Sequence, residues 1–101
     1  MRAQERVAEF LDEYDTDADP EYRILDLVSE VGELAKDAND STDYGESPED
    51  LDVKRDELGD ALFSLLAVAE SLDVDAERAL DEALEKYRGR IDETGDPGSG
   101  E

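Results

Sequence analysis

A chain of 101 residues has room for one domain with a thin core, so a large binding cavity would need a second subunit. Its 32 acidic against 10 basic residues give a net charge of −22, which repels nucleic acid and anionic membranes, and the lack of cysteine and histidine excludes disulfides, thiolate or imidazole metal sites and the usual general base. Carboxylates remain as the metal ligands to consider, and an acid coat with little lysine suits a protein working in molar potassium chloride, where the Debye length is about 3 Å.

In chain order, Val7, Phe10, Leu11 and Tyr14 sit at helical spacing and predict a short first helix that ends in the turn-forming run Asp15 to Pro20. A second helix is expected from near Glu21 to Asn39, with Ile24, Val28, Val31, Ala35 and Ala38 as its apolar stripe and Leu25, Leu27 and Leu34 widening it. Residues 39 to 48 are polar and read as a loop. Ser47-Pro48-Glu49-Asp50 is a strong helix start, because serine can cap, proline suits the first helical position and the acids face the positive end of the dipole. The third helix then runs to about Leu72. Its middle, Ala61 to Ala69, is apolar nearly all round and should be the central element. Asp73 or Asp75 can cap a fourth helix with Ala76, Leu80, Ala83, Leu84, Tyr87 and Ile91 on one face.

No segment alternates as a strand would, so the class is all-α: a single helical domain over residues 1–93 and a disordered acidic tail over 94–101. No apolar run of about 18 residues exists, and Met1-Arg2-Ala3-Gln4-Glu5 leads into no apolar core of signal-peptide type. A cytoplasmic protein that binds neither membrane nor nucleic acid is the expectation. The apolar surface of the 61 to 69 stretch exceeds what three short neighbours can cover, which predicts a homo-oligomer, a dimer first of all, with the third helices in a shared bundle.

Two segments share a pattern: Glu30-Val31-Gly32-Glu33 on the second helix and Glu57-Leu58-Gly59-Asp60 on the third. Each sets two carboxylates at i and i+3 on one helix face. Spacing alone says little, since 32 acids placed at random would give about ten such pairs. The glycines say more, because glycine inside a helix costs roughly 1 kcal/mol against alanine and calls for a reason such as close approach of two helices. Antiparallel packing with Gly32 and Gly59 near the crossing would bring four carboxylates to one point, where a hard divalent cation, magnesium first of all, would relieve their repulsion. Asp15, Asp17 and Asp19 imitate the start of a calcium-binding loop, but Pro20 stands where that loop needs glycine.

With these residues in view, the run Leu27-Val28-Ser29-Glu30-Val31-Gly32-Glu33-Leu34, then Asp56-Glu57-Leu58-Gly59-Asp60-Ala61-Leu62-Phe63, then Val74-Asp75 and Ala79-Leu80, resembles the MazG-like nucleotide pyrophosphohydrolases, in an acidic member of haloarchaeal type. The resemblance covers roughly residues 22 to 91 and implies a four-helix antiparallel fold completed by homo-oligomerisation. It implies magnesium held by Glu30, Glu33, Glu57 and Asp60, and hydrolysis of a nucleoside or deoxynucleoside triphosphate to monophosphate and pyrophosphate, as in cleansing of the nucleotide pool. Glu33, with Glu30 beside it, is the candidate to orient or deprotonate the attacking water.

Among the few cations, Lys86 and Arg90 lie at i and i+4 on the fourth helix, and Lys54 precedes the Glu57 motif by about one turn. By the resemblance Lys86 and Arg90 match positions that contact substrate phosphates, and Lys54 joins them as a candidate. Ordinary compensation of a helix C-terminus explains them as well. Leu84 stands where many relatives have asparagine and Ser29 where many have glutamate. The charge by itself supports a different class, a non-catalytic acidic helical protein that binds a partner or mimics nucleic acid.

Overall fold

The computed structural model describes residues 2–14 and 18–96. They form four α-helices and one 3-10 turn, with no strand among them: α1 (Arg2–Glu13), α2 (Pro20–Ser41), the turn Pro48–Asp50, α3 (Arg55–Ser71) and α4 (Ala76–Thr94). Asp15, Asp17 and the last five residues of the expected tail lie outside the described residues, although α4 itself runs to Thr94 and is closed by Gly95 in the left-handed conformation (φ 78°).

Helix α3 is the centre, as its apolar middle requires. Ser64, Leu66, Ala67, Val68 and Ala69 are buried, and α1 and α2 both pack on α3. Against α1 the order is antiparallel: Val7 meets Leu66 and Ala67, and Phe10 meets Phe63 edge-on at 5.6 Å. Further along, buried Gln4 spans three elements. Its amide nitrogen donates to Glu70 Oε1 (2.9 Å) and the Val74 carbonyl (2.8 Å), and its oxygen accepts from the Ala76 amide (2.7 Å). One side chain thus fixes α1 to the end of α3 and the start of α4. Replacing Gln4 by alanine strands these partners, and the expected result is a loss of about 2 kcal/mol of stability. A lower urea midpoint with an unchanged slope would show it; a parental midpoint would speak against the clamp.

Both turns after long helices end in the same way. After α3, the Val74 amide donates to the Ala69 carbonyl (2.9 Å) and Asp73 to Glu70 (3.1 Å), with Asp73 at φ 56°; after α2, Tyr44 reaches back to Asn39 (2.8 Å), with Asp43 at φ 51°. Aspartate tolerates this left-handed position where glycine is usual. Asp75, one of the two expected caps, accepts from the amides of Glu77 (2.9 Å) and Arg78 (3.3 Å) and starts α4.

The expected start of the third helix at Ser47-Pro48 is corrected. That signal yields one 3-10 turn without a side-chain cap, and α3 begins seven residues later, after Lys54, whose side chain makes no cap either. The Asp52 amide is engaged by Ser41 Oγ (2.9 Å) at the end of α2, so the chain crosses between helices in extended form.

The apolar stripe of α2 is also not where periodicity put it. Leu27, Leu34 and Ala38 are half-buried, while Ile24, Val28 and Val31 are 43%, 62% and 50% exposed. On α4, Leu80, Leu84, Tyr87 and Ile91 are exposed too, since packing of any extent is confined to α2 with α3 and α1 with α3. Helix α3 also leaves Leu58, Leu62 and Leu65 half exposed, so uncovered apolar surface remains on α2, α3 and α4 alike. The radius of gyration, 16.5 Å, exceeds the roughly 13 Å of a compact chain this long.

Candidate metal centre

Helices α2 and α3 are joined by residues 42–54, and their antiparallel pairing sets the last third of α2 beside the first turn of α3. Half-buried Asp37 on α2 meets half-buried Glu57 on α3 there, carboxyl to carboxyl. Asp37 Oδ2 and Glu57 Oε2 are shut off from solvent, and neither has a hydrogen-bond donor. Two ionised carboxylates cannot bond to each other, so a proton or a cation must lie between them. The facing Asp37 carboxyl, desolvation and the nearby charge of Glu33 push the Glu57 pKa from its ordinary 4.5 up to about 7, against the pull of Lys54.

The expected ligands are distributed along this face. Glu30 and Glu57 are half-buried, Glu33 and Asp60 exposed. Glu33 and Lys54 are both near enough to act on Glu57. The single chain does not draw Glu30, Glu33, Glu57 and Asp60 into one ready cluster: among the described residues no three carboxylates are grouped to hold a metal. Like charges hold one another apart unless a cation intervenes. Nor do the helices approach closely at the two glycines, contrary to expectation, for a Cβ at Gly32 or Gly59 would meet nothing within 4 Å. Both lie on exposed faces, and the close packing of α2 falls on the side of Leu27, Leu34 and Ala38 instead.

Asp37 was missed in the sequence. Its signal is the spacing, since Glu30, Glu33 and Asp37 fall at i, i+3 and i+7 on one helical face, but many acids in this chain share such spacing.

Lys86 and Arg90 flank the Tyr87 ring, at 5.3 and 5.5 Å from its centre, on a helix with little packing against α2 or α3. Beside the motif on α3, Gly59, Leu62, Phe63 and Leu66 form one wall of an open groove of about 630 Å³, with Arg6, Val7 and Phe10 of α1 opposite.

The donor set fits a hard cation. Every available ligand is an oxygen, and two of the oxygens are buried without a partner.

The described residues form four α-helices with acidic residues on adjacent antiparallel helices, and residues 19–94 match the MazG nucleotide pyrophosphohydrolase domain: the chain belongs to that family. It is similar to the uncharacterized protein YpjD of Bacillus subtilis (strain 168), at 41% identity in an alignment of 68 positions that covers 63% of this chain and 60% of that protein's length. No solved structure matches the chain.

The raised Glu57 pKa has a consequence for stability. The folded chain holds this proton more tightly than the unfolded one, so the stabilisation is complete below about pH 4.5 and is lost as the pH rises through about 7. With chelator present, Glu57→Gln, whose amide can donate to Asp37, should match the parent's melting temperature at the acid end and exceed it above pH 7. A difference that does not change with pH would contradict the pairing.

Proposed function

We propose that this protein hydrolyses nucleoside or deoxynucleoside triphosphates between the α and β phosphates, in a magnesium-dependent reaction that yields the monophosphate and pyrophosphate. What carries the reading is the carboxylate face of α2 and α3, with its two solvent-excluded, donorless oxygens, inside the segment that belongs to the MazG family.

Glu30, Glu33, Glu57 and Asp60 would hold magnesium, which when bound supplies Lewis acidity toward the phosphate oxygens. Glu33, the exposed member of the α2 pair, orients a water toward the α phosphorus and takes its proton on a carboxylate oxygen, with Glu30 one turn away in support. The water oxygen bonds to phosphorus as the bond to the bridging oxygen breaks, and pyrophosphate leaves with that electron pair. Lys54 on the α3 side and Lys86 and Arg90 on α4 steady the polyphosphate, an electrostatic role that costs no reorganisation if the cations are already placed. Phosphorus NMR of the products tests the cleavage position: monophosphate with pyrophosphate is expected, whereas diphosphate with phosphate, or no turnover, would reject it.

The functional unit is a homo-oligomer, a dimer in its simplest form. The chain exposes 7734 Å², against about 5,700 Å² for a compact monomer of this mass, and a surplus on the order of 2,000 Å² is what an obligate interface covers. The exposed apolar residues of α2, α3 and α4 supply that surface, the third helices sharing a bundle. Light scattering at micromolar protein in molar potassium chloride should give at least twice the 11.2 kDa chain mass. A monomeric mass would overturn it. The acid coat supports the reading of an enzyme that works in a high-salt cytoplasm; among the described residues no helix is long and apolar enough to cross a membrane.

A further inference from the structure

Asp37 is the acid that the Glu-x-x-Glu and Glu-x-x-Asp pattern does not account for. It lies one turn beyond Glu33 on the α2 face that packs against α3, whereas an acid of the solvated coat would turn to water. Instead its Oδ2 is closed off, as is Oε2 of Glu57, and neither oxygen has a donor. The remaining charges that act on Glu57 are Glu33 and Lys54. Lys54 does not place its ammonium on either buried oxygen, so the pair is left open to a cation from outside.

We propose that Asp37 is a fifth carboxylate of the metal centre, a ligand that acts with Glu57 to hold the divalent cation between α2 and α3. The inference rests on the metal-dependent reading above and adds to it a residue outside the family motif. Asp37 then has two duties: its charge contributes to cation affinity, and its place opposite Glu57 fixes that side chain's orientation toward the metal.

Calorimetric titration of magnesium alone into the metal-free full chain, in molar potassium chloride at about pH 8, tests this apart from turnover. Asp37→Asn and Asp37→Ala should each lose about tenfold or more in magnesium affinity. Metal-free Asp37→Asn should melt no lower than the parent, because its amide can donate to Glu57, which shows that the lost affinity is not lost folding. Glu49→Gln, in the coat, should bind as the parent does. Parental affinity in both Asp37 variants, alongside weakened binding in Glu33→Gln, would remove Asp37 from the centre and leave the four-carboxylate reading standing. A parent that takes up no magnesium would overturn both.

Discussion

Glu33→Gln and Asp60→Asn each reduce nucleotide hydrolysis by about a hundredfold or more, while Glu82→Gln and Glu49→Gln leave it near the parental rate; this is the largest effect the account predicts. The amide keeps the shape and helix propensity of the acid and removes only the charge, so a coat residue should hardly register the change: exposed charges are screened and individually weak. All four side chains are exposed in the single chain, so burial cannot separate them. What separates them is position, since Glu33 and Asp60 flank the pair Asp37 and Glu57 on the two helices that pack together, whereas Glu49 lies in the 3-10 turn and Glu82 on α4. If repulsion strains this face, both site variants should also be at least as stable as the parent without magnesium, and should gain less when it is added. Pyrophosphate release and thermal melts with and without magnesium read both effects. Parental turnover in Glu33→Gln and Asp60→Asn would reduce the constellation to ordinary acidic surface.

The second large effect is on folding itself. When potassium chloride is dialysed from about 1 M to about 0.01 M, with no divalent ion present, the Debye length grows from about 3 to about 30 Å and the −22 charge begins to repel itself across the whole molecule. The described core offers little resistance: Val7, Leu66 and Ala67 form its buried cluster, and no large side chain is fully enclosed. Helical ellipticity should fall by more than half and return with salt, or with far less magnesium than potassium, since a divalent ion on the α2 and α3 carboxylates acts where repulsion is greatest. Full helicity and an unchanged melting temperature in dilute buffer would contradict the high-salt account.

Periodicity revealed four helices because α1, α2, α3 and α4 each carry an apolar repeat, and the Asp75 cap was legible because its side chain acts on amides two and three residues away. Other features depend on distant partners. Ser47-Pro48 has the local chemistry of a helix start, yet the Asp52 amide is held by Ser41, a residue eleven positions back that no local pattern reveals. A stripe such as Ile24, Val28 and Val31 announces an apolar face but not its partner, and within this chain it is open. Gln4 gives no signal at all: its three bonds reach residues 66 to 72 positions away. On the candidate site, the motif acids were legible through their paired glycines and apolar flanks, although the glycines do not mark a close contact within one chain. Asp37 stayed hidden because in a chain with 32 acids its charge is unremarkable until α3 is laid against it.

The most direct test of the central claim is pyrophosphate release from a panel of ribo- and deoxyribonucleoside triphosphates by the full chain in molar potassium chloride, with magnesium titrated from zero. The account predicts no release in the presence of chelator, release that saturates with magnesium, and a preference for some members of the panel. Absence of pyrophosphate from every nucleotide at saturating magnesium, by protein that is folded and oligomeric, would contradict it.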